Sequence, residues 1–431
     1  MSYIIREIQE KLVSLLKDAR AQGVILAGPV GCGKSTLIKK ILADLVTERE
    51  HFYFSGDDAH FRTEILGNTR YLLDFVLART TRPPLIFIDE VHKSPGSFEA
   101  LKLAFDEEKI PFVVSGSNPN YLATTARNLL QRRAHFLALE PFSVLEILHN
   151  LGHANLKTTS NFLTSLLIER PNLTEISTPS FGPLKEIEPV LKRYLTIGGT
   201  PLGYFANSDM SALSEVQMVI ERGISDLGVD TDPTDDMIRI YLANTHSREF
   251  SYQSIFQKTG LRSRYHVNKT IDALIGAGYL VQKKPVFPNE NHRSYLTIYS
   301  YTDPGFVSYL SGKMIDADEL GFRVEGHIHA RLAALMQRIP LKSQIGYYKP
   351  FSLDVNEKVK FIPGEIDFII NLGSHWLPIE VKSGLDVSQD GLRHIEKFMA
   401  HYKVPYGIVL YGGMPRINKE KRILFYPWWG L

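Results

Sequence analysis

Four hundred and thirty-one residues exceed one ordinary hydrophobic core and predict roughly two to four domains. With 44% hydrophobic and 22% charged residues and a mean hydropathy of −0.10, the composition is that of a soluble globular chain. No apolar run reaches the roughly 18–20 residues that cross a bilayer, which excludes a membrane-embedded function. The single cysteine, Cys32, excludes a disulfide within the chain. Arg6, Glu7, Glu10, Lys11, Lys17 and Asp18 interrupt the N-terminal apolar residues and argue against a signal peptide. A cytoplasmic protein with no membrane partner is expected.

Residues 1–150 alternate helical and strand signals, the α/β pattern. Ile4, Ile5, Ile8, Leu12, Leu15 and Leu16 form a helical stripe. Residues 23–27, 52–55, 85–88, 112–115 and 135–139 are short apolar runs bounded by Gly, Pro or polar residues, as in strands covered on both faces.

The first chemistry lies between the first strand and the next helix. Gly28-Pro29-Val30-Gly31-Cys32-Gly33-Lys34-Ser35 satisfies G-x-x-x-x-G-K-[ST] at every fixed position, and Thr36 leads into a helix. Such glycines let successive backbone N–H groups turn inward around an anion, and the helix N-terminus adds its partial positive charge. Lys34 is expected to reach the β- and γ-phosphates of ATP, and Ser35 to ligate Mg²⁺. About 50 residues later, the apolar run 85–88 ends in Asp89-Glu90. Open parallel sheets place their ligand chemistry at the carboxyl ends of strands. Asp89 is the expected Mg²⁺ partner, and Glu90 the residue that orients the attacking water.

The run 112–115 leads into Ser117 and Asn118, either of which suits sensing of the γ-phosphate. Arg132 and Arg133 precede the fifth strand. An arginine there would complete a neighbouring copy's site as a finger, implying a homo-oligomer built through the ATPase module. The plain alternative is a surface arginine pair.

Residues 151–240 begin rich in Asn, Thr, Ser and Pro and become helical, which reads as a flexible connection followed by a helical region. Residues 241–312 read as a helix-turn-helix with a β-wing: helices at 252–259 and 263–277, a strand from 278, a polar tip at 288–292 and a return strand at 295–299. Within 241–300 stand eight Lys or Arg against three acids, a local charge of +5 in a chain whose net charge is +2. Arg262, Arg264, Asn268 and Lys269 fall on the exposed face or start of the second helix, where a recognition helix meets DNA. The alternative is a protein-binding module with solvated lysines.

Residues 313–431 return to α/β character. Glu365-Ile366-Asp367 opens a strand, a turn at 372–374 follows, and Ile379-Glu380-Val381-Lys382 closes the hairpin. Because side chains alternate along a strand, Glu380 and Lys382 share a face, and Asp367 stands opposite Ile366, Phe368 and Ile370. This is the D…E-x-K arrangement of restriction-endonuclease-like nucleases, with Asp367 and Glu380 as Mg²⁺ ligands and Lys382 beside the scissile phosphate. Glu325 is the further acid, on a helix whose Val324, Ile328, Leu332, Leu335 and Met336 form the buried stripe. His327 and His329 read as surface residues, and the strand pairs also suit an ordinary salt bridge.

With these residues in hand, the chain resembles a prokaryotic family of AAA-type ATPases with a C-terminal domain of unknown function. The shared segments are the phosphate loop, Ile88-Asp89-Glu90-Val91-His92-Lys93, Ser115-Gly116-Ser117, Arg133 with Leu139-Glu140-Pro141-Phe142-Ser143, Gly198-Gly199-Thr200-Pro201, Tyr301-Thr302-Asp303-Pro304-Gly305-Phe306, Glu365-Ile366-Asp367-Phe368 and Ile379-Glu380-Val381-Lys382-Ser383. The resemblance implies a P-loop ATPase core over 1–150, a linker and helical lid over 151–240, a winged helix over 241–312 and a PD-(D/E)xK-like domain over 313–431. It also favours Arg133 as the finger, although Gln131-Arg132-Arg133 stands where relatives tend to have Gly-Arg. Related ATPases are associated with mobile elements or defence against them. The leading expectation is an ATP-dependent, DNA-acting ATPase with a Mg²⁺-dependent nuclease. The others are a nucleotide switch or regulator with a non-catalytic C-terminal domain, and a ring translocase or remodeller.

Overall fold

The computed structural model describes residues 3–17, 22–45, 49–82, 84–130, 132–169, 171–226, 233–286, 296–339, 343–353, 359–361, 364–373, 375–388 and 390–431. The expected wing tip at 288–292, Tyr295, Gln131 and position 374 of the hairpin turn lie outside them.

The N-terminal unit runs α1 (Gln9–Lys17), β1 (Gly23–Ala27), α2 (Lys34–Leu45), β2 (Glu50–Ser55), α3 (Ala59–Gly67), α4 (Tyr71–Leu77), β3 (Pro84–Asp89), α5 (Gly96–Glu108), β4 (Phe112–Gly116), α6 (Pro119–Leu129) and β5 (Ala134–Ala138). Its sheet is parallel throughout, in the order β2-β3-β4-β1-β5. Alternation along β1 explains why its run is wholly apolar. Val24 and Leu26 pack on α1 and α2, whereas Ile25 and Ala27 face the layer of α3 to α6. The N-terminal stripe is shorter than expected: the helix starts at Gln9, and Ile5 is 44% exposed.

Then follow α7 (Val144–Asn150), α8 (Leu156–Ile168), α9 (Leu184–Ile197), α10 (Pro201–Tyr204), α11 (Asp209–Asp226) and α12 (Pro233–Asn244). The polar stretch expected to be a flexible connection contains α8. Asn155 caps it by accepting a hydrogen bond from the Thr158 N–H at 2.9 Å, and Leu163, Leu166 and Leu167 bury its inner face. The expected 151–240 unit does not share one core. Helices α7 to α9 pack with the C-terminal sheet, and α11 and α12 pack with the segment that follows.

That segment comprises α13 (Tyr252–Thr259), α14 (Arg264–Gly276), β6 (Leu280–Pro285), β7 (Ile298–Tyr301) and α15 (Pro304–Ser311). Ser251 and Ser263 cap the two first helices, and Gly260 ends α13 in the left-handed region at φ 74°. The chain closes with α16 (Ala317–Arg338), β8 (Gln344–Tyr348), β9 (Phe351–Leu353), β10 (Val359–Phe361), β11 (Ile366–Asn371), β12 (Trp376–Val381), α17 (Arg393–His401), β13 (Gly407–Tyr411), β14 (Arg416–Asn418) and β15 (Ile423–Pro427). The β6–β7 hairpin joins this second, mixed sheet through parallel pairing of β6 with β8, giving the order β14-β15-β13-β12-β11-β8-β6-β7.

The two sheets are joined by buried charge. Arg331 of α16 reaches Glu7 at 3.1 Å and Glu140 at 3.2 Å, and Arg338 reaches Glu7 at 2.6 Å. Among the described residues, no helix is long and apolar enough to cross a membrane.

Candidate nucleotide site and acidic cleft

The phosphate loop connects β1 to α2. Gly31 and Gly33 adopt φ of +75° and +96°, which L side chains rarely tolerate, so the backbone curls into an anion cradle. The Lys34 ammonium donates to the carbonyl oxygens of Gly28 at 2.9 Å and Pro29 at 3.1 Å. Ser35 Oγ donates to Asp89 Oδ2 at 2.7 Å, and Ser115 Oγ donates to Asp89 Oδ1. A hydroxyl and a carboxylate held together at the mouth of an anion cradle fit a Mg²⁺ ion shared with phosphate oxygens.

Glu90 sits in the left-handed region at φ 47°, ψ 47°, a conformation that costs a non-glycine residue about 1–2 kcal/mol. Its Oε2 accepts from Ser117 Oγ at 3.3 Å and lies 3.3 Å from His92 Nδ1. Burial pushes the His92 imidazole below its ordinary value against the pull of Glu90. Of the two sensor candidates, Ser117 reaches Glu90, whereas Asn118 caps α6 by accepting from the Tyr121 N–H at 3.0 Å.

A cavity of about 410 Å³ opens beside the loop, within the range of small-ligand sites. Lys34, Ser35, Thr36, Asp89 and Glu90 line one part of it. The sequence reading missed the remaining walls. Tyr3, Ile4, Phe142, Pro201 and Phe205 add apolar walls suited to a planar base, and Asp57 and Arg222 add charge. Apart from Asp57, which follows β2, these residues come from the N-terminal strap, the chain after β5, and α10 to α11, outside the phosphate-loop and Asp89-Glu90 motifs. Arg6 fixes the strap to the loop, donating to the Cys32 carbonyl at 3.0 Å and to Glu146 at 3.2 Å. Arg133 is outside this cavity, bonded to Asp106 at 2.6 and 2.9 Å, and Arg132 is exposed at φ 62°.

The second candidate site lies where α16 meets the β11–β12 hairpin. Glu325, Asp367 and Lys382 line one cleft of about 270 Å³ with Phe322, Val381 and Ser383. Asp367 Oδ2 accepts from the Val381 N–H at 2.7 Å, and Glu380 Oε1 accepts from Lys382 Nζ at 2.6 Å. Burial, then the charges of Glu380 and Glu325, hold the Asp367 carboxyl well above its ordinary range. Burial also raises Glu380 against the pull of Lys382. On Lys382 burial pulls downward, but the charge and hydrogen bond of Glu380 with the charges of Asp367 and Glu325 together outweigh it and tighten its proton. Glu380 Oε2 is buried with no hydrogen-bond partner among the described residues. Carboxylates crowded against their own repulsion, with one oxygen orphaned, fit a cation. Among the described residues, however, no three His, Cys, Asp or Glu side chains stand ready-arranged around a metal position.

Two readings of this region change. His327 and His329 are buried at 2% and 1% exposure, not on the surface, because α16 is enclosed by α9, β7 and the second sheet. Their rings pack on Tyr194, Trp428 and Phe368. Lys283, counted with the basic surface stretch, is also buried. Its ammonium donates to Glu325 Oε1 at 2.6 Å and to the Asp367 carbonyl at 3.0 Å, and lies 3.9 Å from the Phe368 ring centroid. On α14, by contrast, Arg264, Asn268 and Lys269 are exposed, as is Arg262 just before it.

Residues 20–148 match the family described as AAA domain, and residues 321–431 match a domain of unknown function, DUF4143. The chain therefore carries an ATP-binding, AAA-type P-loop ATPase domain ahead of a second, mixed-sheet domain. No curated protein matches it. Similar solved structures include the Walker-type ATPase paby2304 of Pyrococcus abyssi, at 15% identity over 72% of this chain and 96% of that one, with a TM-score of 0.43. The RuvB Holliday junction branch migration motor of Thermotoga maritima aligns at 18% identity over 64% and 89% of the two chains, with a TM-score of 0.27. The Hsp104–ADP complex of S. cerevisiae aligns at 16% identity over 64% and 39%, with a TM-score of 0.31.

Proposed function

We propose that this chain is an ATP-hydrolysing ATPase that acts on DNA and carries a Mg²⁺-dependent nuclease in its C-terminal domain. The observation that carries the nuclease reading is that Glu325, Asp367 and Lys382, from a helix and two neighbouring strands, line one cleft, with Glu380 bonded to Lys382 beside it. The order helix α16, strands β8, β11 and β12, helix α17 and parallel strand β13 supports a restriction-endonuclease-like fold. Asp367 and Glu380 would hold Mg²⁺, which supplies charge stabilisation at a phosphodiester and a water of lowered pKa. Lys382 stands beside them to steady the developing negative charge.

Helices α13 and α14 with the β6–β7 hairpin form a winged-helix candidate, and its exposed Arg262, Arg264 and Lys269 suit a phosphate backbone. In the ATPase domain, Glu90 would orient water, Ser117 would sense its position, and Arg133, released from Asp106, would serve as a finger for a neighbouring copy in a homo-oligomer. The proposed segments run 1–150, 151–240, 241–312 and 313–431, with the second divided in packing between the C-terminal sheet and the winged-helix candidate.

Cleavage of single- and double-stranded DNA with Mg²⁺, with and without ATP, tests this reading. Lys382→Ala is expected to stop cleavage and spare ATP hydrolysis. Equal cutting by both proteins removes the cleft from the mechanism. A second reading, a nucleotide-dependent switch or regulator with a non-catalytic C-terminal domain, is favoured by the lysine pairing of Glu325 and Glu380. It expects no cleavage of any DNA, and DNA or protein binding that differs between ADP and ATP.

A further inference from the structure

Lys283 belongs to β6, outside the C-terminal family match, yet its ammonium ends inside that domain. Its side chain is 1% exposed, and a buried ammonium needs a charged partner. That partner is Glu325, at 2.6 Å. Around the cleft, Glu380 is bonded to Lys382 and Glu325 to Lys283, so two of the three carboxylates already face an internal cation. We infer that Lys283 is a latch on the acidic cleft: while it holds Glu325, a divalent cation meets only Asp367 and Glu380, and withdrawal of β6 frees Glu325 as a third ligand. The inference rests on reading the cleft as a divalent-cation site. It accounts for three acids meeting at one place without a ready three-ligand arrangement.

The strand that carries the latch belongs both to its own hairpin and to the C-terminal sheet. β6 pairs with β7 from Leu280 to Lys283 and with β8 through Lys284 and Pro285, and the Val286 N–H donates to the Tyr347 carbonyl at 2.8 Å. Withdrawal of Lys283 therefore requires this pairing with β8 to part. At its other end, the turn before β6 lies on the ATPase domain. A Cβ at Gly278 would stand 3.7 Å from Pro29 of the phosphate loop and 3.6 Å from Pro119 at the start of α6. One short strand thus runs from the nucleotide loop to the cleft.

Manganese titration of the nucleotide-free full chain, following free Mn²⁺ by electron paramagnetic resonance, tests the latch without relying on cleavage. Binding lost in Asp367→Asn defines the cleft site. Lys283→Met is expected to tighten that site on the order of tenfold, because a positive charge beside a dication is removed and Glu325 is freed. Lys283→Arg should not tighten it, and adding Glu325→Gln to Lys283→Met should return the affinity to wild type. Unchanged or weaker binding in Lys283→Met, with the Asp367-dependent site present, overturns the latch while leaving the cation reading intact. Absence of any Asp367-dependent Mn²⁺ in both wild type and Lys283→Met removes the cation reading and the latch with it. If Lys283→Met does not fold, Glu325→Gln alone decides. The latch expects wild-type affinity there, and lost binding overturns it.

Discussion

Asp303 and Gly199, 104 residues apart, are joined by a hydrogen bond of 2.8 Å from the Gly199 N–H to Asp303 Oδ2. The other carboxylate oxygen accepts from the Gly305 N–H at 2.7 Å, and the residue is fully buried. One side chain therefore caps α15 and fixes the turn that starts α10, whose Pro201 and Leu202 wall the nucleotide cavity together with Phe205. Burial pushes the Asp303 carboxyl up to about 6 against these hydrogen bonds.

Asp303→Ala leaves buried N–H groups without acceptors, and roughly 2–4 kcal/mol of stability should go. Affinity for a fluorescent ATP analogue should fall with it, because α10 loses its anchor. Asp303→Asn keeps one acceptor oxygen and should fall between. Denaturation and nucleotide titration of the three proteins check this, and an alanine variant with unchanged affinity would separate Asp303 from the pocket wall.

Glu90 is held by Ser117 and His92 at the edge of the cavity, not by the phosphate loop. Glu90→Gln should therefore preserve nucleotide binding. A positioned base typically contributes about 10²–10⁴ in rate, so kcat for ATP should drop by that order. Steady-state hydrolysis beside an equilibrium binding titration gives both numbers. Hydrolysis that survives the substitution assigns the water-orienting role elsewhere.

What could be read beforehand follows from where the information lies. β1 and the start of β4 are legible because every residue on them is buried, which gives short apolar runs, β4 breaking only at Ser115 where it reaches Asp89. α13 is legible because Ser251 and Gly260 mark its ends with local chemistry. Asp89 and Glu90 stand out because the apolar strand they end follows a phosphate loop by about 50 residues. Lys283 gives no such sign. Its neighbours Gln282 and Lys284 are exposed, so the strand reads as polar surface, and its burial is created by Glu325, 42 residues on, and by β11. The walls of the nucleotide cavity were illegible for the same reason: Tyr3, Phe142 and Arg222 meet only after the helices have packed.

Glu7 supplies a pH dependence with a definite sign. Burial raises its carboxyl, but Arg338 and Arg331 more than reverse this and bring it down to about 2, from an ordinary value of 4.5. Between those values the unfolded chain binds the extra proton. Stability from this group is therefore fully present above about pH 4.5 and is lost as the pH falls toward 2. At about 1.4 kcal/mol per pH unit, the group contributes on the order of 3 kcal/mol at neutral pH. Glu7→Gln also takes from buried Arg331 one of its two carboxylate partners, leaving Glu140, so the variant should start less stable than wild type. The expected signature is convergence: the stability difference between wild type and Glu7→Gln should shrink as the pH is lowered from 5 to 3. Urea denaturation at half-unit intervals reads that difference directly. If it stays constant across the series, the Glu7 carboxylate is not held ionised by Arg331 and Arg338, and another contact joins the ATPase sheet to α16.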